Sequence, residues 1–237
     1  MGEDAALLNT VTSANIACGG HAGDADVMAA TMELAHTNNV GIGAHPGFMD
    51  LAGFGRNRMS VPRGTLQNQI RYQVAASVGM ARSVGARVRH LKLHGALSNM
   101  ASEDPVLARD LYDAALSVDP DLIIVILTAT AHQQAVEELG CTWAGEIFAD
   151  RAYNEDATLV DRSMAGAVIH DPVIAGTRMV EMVKAGAIIT ESGKHIPAAI
   201  DTICLHGDTP TAVQIAASVR AALEDADIAV QTFEGCR

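Results

Sequence analysis

The chain has 237 residues, 49% of them hydrophobic and only 3% aromatic, and its formal net charge at pH 7 is −12. This length suits one α/β domain over residues 1–237 with a core of aliphatic side chains. The acidic balance and the scarcity of aromatic residues argue against a nucleic-acid partner, which would require a basic face and stacking side chains.

Three features predict a cytoplasmic location without a membrane partner. The first ten residues carry two acids and no basic side chain, so no secretory signal opens the chain. The longest apolar run, Leu122–Leu127, is far shorter than a membrane span of roughly 18 residues. The four cysteines are scattered, without the close pairing of a zinc or redox motif, so we expect free thiols in a reducing compartment.

Apolar runs alternate with helical patterns after a short opening helix at Ala5–Val11. This alternation predicts a parallel sheet covered by helices. The six predicted strands are Asn15–Cys18, Val40–His45, Val88–Leu93, Leu122–Thr128, Thr142–Ala149 and Thr202–Leu205. The helices that follow them are predicted at Ala25–Asn38, Gly64–Val84, Pro105–Ser117, Ala131–Leu139, Pro172–Ala185 and Thr211–Asp225. A hairpin is predicted over Ala187–Ala198, and a short final strand near Ile228–Thr232.

Four of the nine histidines follow directly on predicted strands, beside glycine or proline: His21, His45, His94 and His206. The carboxyl ends of parallel strands meet on one rim of a barrel, so we expect these side chains to share a site. A separate packing role for each is the alternative. Helix histidines such as His36 and His132 are expected to be solvated.

Two chemistries fit such a histidine cluster. Imidazoles can move protons to and from a reacting group near neutral pH. Alternatively, two or three of them, with His21, His45 and His94 as candidates, could hold a divalent metal together with a carboxylate. No spacing is diagnostic of a metal, so the sequence leaves both open. The nearby carboxylates are Asp24, Asp50, Asp150 and Asp208.

Basic residues also lie at or after strand ends, in a chain with few positive charges: Arg56, Arg58, Lys92 and Arg151. Solvated loop cations are one interpretation. Recognition of a small anionic substrate is the sharper one, because guanidinium groups bind carboxylates and phosphates well. No Walker A motif occurs, so ATP binding through such a loop is not expected.

Five segments together resemble the signature blocks of the LamB/YcsF family of 5-oxoprolinase A subunits, and they are NIACGGHAGD, GIGAHPGFMDLAGFGR, LKLHGALSN, EIFADRAY and TICLHGDTP. The resemblance implies a seven-stranded TIM-like (β/α) barrel, similar to glycoside hydrolase/deacetylase barrels. It also implies a role in an ATP-dependent 5-oxoprolinase with subunits B and C. In that scheme the partner subunits activate the lactam by phosphorylation, and this chain completes its opening to L-glutamate.

Position by position, the resemblance selects residues that the strand-end argument also favours. The implied acid/base residues are His21, His45, His94, Asp150 and His206. The implied substrate-binding residues are Asp24, Asp50, Arg56, Lys92, Arg151 and Asp208. Two alternatives stay open: a metal-dependent deacetylase or hydrolase using the same rim, suggested by fold similarity alone, and a non-catalytic subunit that presents substrate to its partners.

The sequence departs from the family pattern in several places. Gly20, Asn57, Leu93 and Ser98 stand where the family usually has phenylalanine, arginine, proline and tyrosine. The family also opens with a strand bearing an acidic D-L-N-x-D-x-G-E block, which this sequence lacks. We therefore expect a barrel without its first strand, and a truncated chain with poor activity.

Overall fold

The computed structural model describes residues 4–207 and 210–235. Six parallel strands lie side by side in chain order and form one sheet. They are β1 (Ser13–Ala17), β2 (Gly41–His45), β3 (Val88–Lys92), β4 (Ile123–Leu127), β5 (Trp143–Phe148) and β8 (Thr202–Cys204). Two short strands, β6 (Ala187–Ile189) and β7 (His195–Pro197), form the predicted antiparallel hairpin.

Helices connect these strands and cover the outer face of the sheet. They are α1 (Asp4–Leu8), α2 (Ala25–Thr37), α3 (Arg63–Ser83), α4 (Gly95–Glu103), α5 (Pro105–Leu116), α6 (Ala131–Leu139), α7 (Pro172–Ala185) and α8 (Ala212–Asp225). Aspartates accept amide hydrogen bonds at the starts of α2, α5 and α7, where residues of the first turn lack helical partners. None of the helices in the described ranges is long and apolar enough to cross a membrane.

The sheet curls into a half-barrel, as a contact across its concave face shows. Nζ of Lys92 on β3 lies 2.9 Å from Sγ of Cys204 on β8, although β4 and β5 lie between these strands. In a flat sheet the two strands would be about 14 Å apart. This curvature brings together side chains that follow different strands, and it agrees with the TIM-like barrel expected from the sequence.

Strands β1 and β8 form the two edges of the curled sheet, and helices pack across the opening between them. Leu7 of α1 packs against Ala212 and Ala216 of α8. Arg220 of α8 donates a hydrogen bond to the carbonyl oxygen of Thr10 at 2.7 Å. The described residues contain six barrel strands, and the expectation of a seven-stranded barrel that lacks its first strand stays a prediction.

The predicted bounds of the matched helices and barrel strands agree with the structure within three residues, but three features differ. Helix α4 was not predicted, and His132 is buried instead of solvated, with Nε2 bonded to the carbonyl of Ser98. The prediction of a short final strand near Ile228–Thr232 is also wrong. Residues 228–235 run without strand pairing, and the half-buried Phe233 packs against side chains of β4 and β5, with its ring 5.3 Å from that of His90.

Candidate active site

Three imidazoles form a compact group at the carboxyl ends of β1, β2 and β3, hereafter the histidine cluster (His21, His45 and His94). The rings of His21 and His94 stack in parallel with their centroids 3.6 Å apart. The ring of His45 stands perpendicular to both, at 5.8 Å from His21 and 4.9 Å from His94. The structure thus brings together three of the four histidines that follow predicted strands.

Backbone carbonyl groups fix two of these rings. Nδ1 of His45 donates to the carbonyl oxygen of Lys92 at 2.7 Å. Nε2 of His94 donates to the carbonyl oxygen of Phe54 at 2.8 Å, and its Nδ1 lies 3.1 Å from Nε2 of His45. Nδ1 of the buried His21 makes no hydrogen bond to any residue that the structure describes.

The loop after β2 packs so tightly on the cluster that it requires glycine. Gly55 has a φ of +64°, and a Cβ there would lie 2.8 Å from His21 Cβ and from His94 Cδ2. Gly47 is held by the buried side chain of Gln73 on α3, which donates to its carbonyl at 2.8 Å and accepts from its amide at 3.0 Å. Sequence reasoning missed Gln73. The feature that could have identified it is the position of a polar residue three places after Ile70, on the buried face of a helix.

Burial lowers the pKa values of all three histidines in the cluster. It lowers the pKa of His21 to about 3 and that of His94 to about 4, and the nearby positive charge of Arg56 adds to both effects. The pKa of His45 is also held well below its ordinary value, first by burial and then by the charges around it. Without a bound anion, the cluster therefore carries little positive charge at neutral pH.

The second element of the site is an aspartate–histidine pair. Nδ1 of His206 lies 2.8 Å and 3.0 Å from the carboxylate oxygens of Asp150, which also accepts the His206 amide at 3.2 Å. Burial alone would raise the pKa of Asp150, but these hydrogen bonds hold it below its usual value, and burial in turn lowers the pKa of His206 and favours its neutral form. The carboxylate therefore accepts the Nδ1 hydrogen bond of His206 and leaves a lone pair on Nε2, the arrangement of a general base.

Lys92 lies in the barrel interior, beneath the histidines. Its ammonium forms a buried ion pair with Glu146, contacts Cys204, and lies 4.5 Å from the centre of the Phe148 ring. Burial opposes the charge, but Cys204 and Glu146 outweigh it and raise the pKa of Lys92. The structure thus places this predicted substrate-binding residue in an internal pair. Sequence reasoning missed Glu146. The feature that could have identified it is a single acidic residue within an apolar strand.

Two predicted carboxylates organise the loops that carry them. Asp24 caps α2 by accepting the Val27 amide at 2.8 Å, and it is exposed. Asp50 accepts the Gly53 amide at 2.9 Å and the Asn57 side-chain amide at 3.1 Å. Both therefore support the geometry of the rim through their local contacts.

The two predicted rim arginines differ in their surroundings. Arg151 donates to the carbonyl oxygens of Ala167 and Val160, so its guanidinium orders the loop after β5. Arg56 is exposed, with its guanidinium carbon 5.1 Å from the centre of the Phe54 ring, and its charge acts on the histidine cluster. Asp208 lies outside the described residues.

The donor set of the histidine cluster does not fit a metal ion. His45 and His94 direct their ring nitrogens at carbonyl oxygens and at each other, and the parallel stacking of His21 on His94 keeps their edges from converging. Within residues 4–207 and 210–235, no three His, Cys, Asp or Glu side chains are arranged to hold an ion. The chemistry is therefore derived below from the side chains themselves.

Comparison with known proteins gives a consistent result. The profile of the LamB/YcsF family matches residues 1–237. A Ruegeria pomeroyi protein, named as the A subunit of 5-oxoprolinase, is 66% identical over 99% of this chain and 92% of its own length. A protein of the same name from Rhodopseudomonas palustris strain BisA53 is 48% identical over 98% and 92%. The crystal structure of the lactam utilization protein from Thermus thermophilus superposes with a TM-score of 0.91 at 36% identity, over 98% of this chain and 93% of that one.

Proposed function

The chain belongs to the LamB/YcsF family, and we propose that it acts as the A subunit of a 5-oxoprolinase, which opens the lactam ring of 5-oxoproline to give L-glutamate. The observation that carries this proposal is the meeting of two proton-handling groups at one barrel end. The pair Asp150–His206 provides a base, and the histidine cluster lies beside it, close enough for a proton taken up by His206 to lower the pKa of His94.

Opening a lactam ring needs both of these groups. A base must take a proton from the attacking water, and an acid must give one to the ring nitrogen, since an amide anion is a very poor leaving group. His206, oriented by Asp150, is the base in this proposal. Arg56 binds the carboxylate of 5-oxoproline at the rim, as a charge-assisted contact.

In this proposal, the partner subunits use the ATP. Subunits B and C use ATP to activate the lactam by phosphorylation, and this chain completes the ring opening. Two features support the division of labour. The names of the relatives indicate one component of a multi-subunit enzyme, and this sequence contains no Walker A motif.

The test is glutamate release from 5-oxoproline by the purified chain with subunits B and C and ATP. We expect release to depend on this chain, and Asp150→Asn to lower the rate by about 10²–10⁴, because an amide no longer fixes the His206 tautomer. His36→Gln, on the outer helix α2, is the matched control and should retain the rate. Glutamate release no greater than that of the partner subunits alone would refute the proposal. Full activity of Asp150→Asn would favour a component that only presents substrate.

A further inference from the structure

The outer nitrogens of His45 and His94 both face backbone carbonyl oxygens. Nδ1 of His45 is 2.7 Å from the oxygen of Lys92, and Nε2 of His94 is 2.8 Å from the oxygen of Phe54. A carbonyl oxygen only accepts hydrogen bonds, so each of these nitrogens must carry a hydrogen. In their neutral forms, both rings would therefore have a bare lone pair on the inner nitrogen.

The two inner nitrogens nevertheless lie at hydrogen-bonding distance. Nε2 of His45 and Nδ1 of His94 are 3.1 Å apart. Two bare lone pairs at this distance repel each other, whereas one additional proton turns the contact into an N–H···N hydrogen bond. The observed geometry thus accommodates three hydrogens on the four ring nitrogens, and the pair then carries one positive charge.

We propose that His45 and His94 act as one unit that takes up a shared third proton together with the anionic substrate. This role rests on the function proposed above, in which 5-oxoproline binds beside Arg56. The proton comes from solvent, lies between Nε2 of His45 and Nδ1 of His94, and offsets the charge of the bound anion. It returns to solvent when the anionic product leaves.

The groups around the His45–His94 pair determine when it holds the third proton. Charged or titratable groups face it from several elements: Lys92 from β3, Arg56 from the loop after β2, His21 from the loop after β1, and His206, which becomes positive when it takes a proton, from the end of β8. Together with burial, they make the third proton weakly held in the free protein. An anionic substrate beside Arg56 offsets these charges, so the proton and the substrate bind together.

The test is a pH titration of the full chain with ¹⁵N-labelled histidine, followed by nuclear magnetic resonance from pH 8 down to the acid limit of folding. We expect signals of His45 and His94 to change with one common midpoint, because the proton belongs to both. Adding 5-oxoproline or inorganic phosphate should raise that midpoint. His45→Asn and His94→Gln each keep a donor near the carbonyl partner but remove the shared bond, and each should abolish the common step. His36→Gln is the control.

Separate midpoints for the two residues would overturn the proposal. So would a titration of His94 that stays unchanged in His45→Asn, or a midpoint that neither anion raises. These readouts do not require turnover. If the common step is present but the complex releases no glutamate, the proposed function fails while the shared proton stands. If His45→Asn releases glutamate at the parent rate and with the parent KM, the function stands and the shared proton does not contribute to substrate binding.

Discussion

Gln73 fills the space that a side chain at position 20 would occupy. A Cβ built on Gly20 would lie 2.4 Å from Oε1 of Gln73 and 2.8 Å from its Cδ. The same Gln73 side chain holds Gly47 through two hydrogen bonds, and Gly47 lies against His21 and His94. The glycine at position 20, one of the departures from the family pattern, thus supports a specific arrangement of the loop over the histidines.

Replacing Gly20 by alanine should displace Gln73 and loosen this loop. We expect Gly20→Ala to lower the free energy of unfolding by about 1–3 kcal/mol, the usual range for overpacking. Gly20→Ala/Gln73→Ala should show a smaller loss than the sum of the single changes, because the clash is then absent. Urea denaturation of Gly20→Ala, Gln73→Ala and the double variant measures the three free energies of unfolding. Gly79→Ala, in α3 with open space around it, is the matched control and should not destabilise. Additive effects would show that the two residues do not interact.

The buried ion pair of Lys92 and Glu146 yields a second prediction. Lys92→Met leaves the Glu146 carboxylate buried without its partner, and loss of one member of a buried pair typically costs about 3–5 kcal/mol. Lys92→Met/Glu146→Gln should recover part of that stability, since the uncompensated charge is gone. Thermal unfolding of both variants checks this. Equal instability of the single and double variants would mean that Lys92 acts through packing alone.

Buried histidines outside the site should make the protein sensitive to acid. Burial lowers the pKa of His90 to about 3 and that of His132 to about 4, against 6.5 for an unperturbed imidazole. Between pH 6.5 and 4 the unfolded chain therefore binds more protons than the folded one, and stability falls as the pH decreases. Urea denaturation at pH 8, 7, 6 and 5 measures the slope. His132→Gln should reduce that slope by up to about one proton. A flat profile would contradict the prediction.

The order of the strands and the grouping of the rim histidines could be predicted from sequence, because both follow from local patterns. Apolar runs mark the strands, and a histidine directly after a parallel strand must lie at its carboxyl end. The path of the last residues could not be predicted. An apolar segment such as the one before Phe233 fits a strand by composition, and only the assembled strands β4 and β5 show that the ring packs beside His90.

The roles of individual charged residues were less accessible from sequence. A cation at a strand end can face solvent, its own loop or the barrel interior, and local patterns do not distinguish these. Arg151 binds carbonyl groups of its loop, and Lys92 pairs with Glu146, 54 positions along the chain. Such partners are set by the curvature of the sheet, so they become visible only when the strands are assembled.

The last prediction separates two arginines on one loop. Arg56 lies over Phe54 near the histidine cluster, whereas Arg58 forms an exposed ion pair with Glu103. A charge-assisted contact to a carboxylate contributes roughly 1.5–3 kcal/mol, so Arg56→Ala should raise the KM for 5-oxoproline about ten- to a hundredfold. Arg58→Ala should change it little, because exposed ion pairs contribute at most about 1 kcal/mol.

The same two variants also test the electrostatic link between the rim and the cluster. The charge of Arg56 lowers the pKa of His21 and of His94, so its removal should raise both values and move the alkaline limb of the activity profile, where the cluster loses its proton, to higher pH. Arg58→Ala should leave that limb in place. The measurement is glutamate release against pH for both variants, with subunits B and C and ATP. Equal KM values and superimposable profiles would show that Arg56 neither binds the substrate anion nor tunes the histidines.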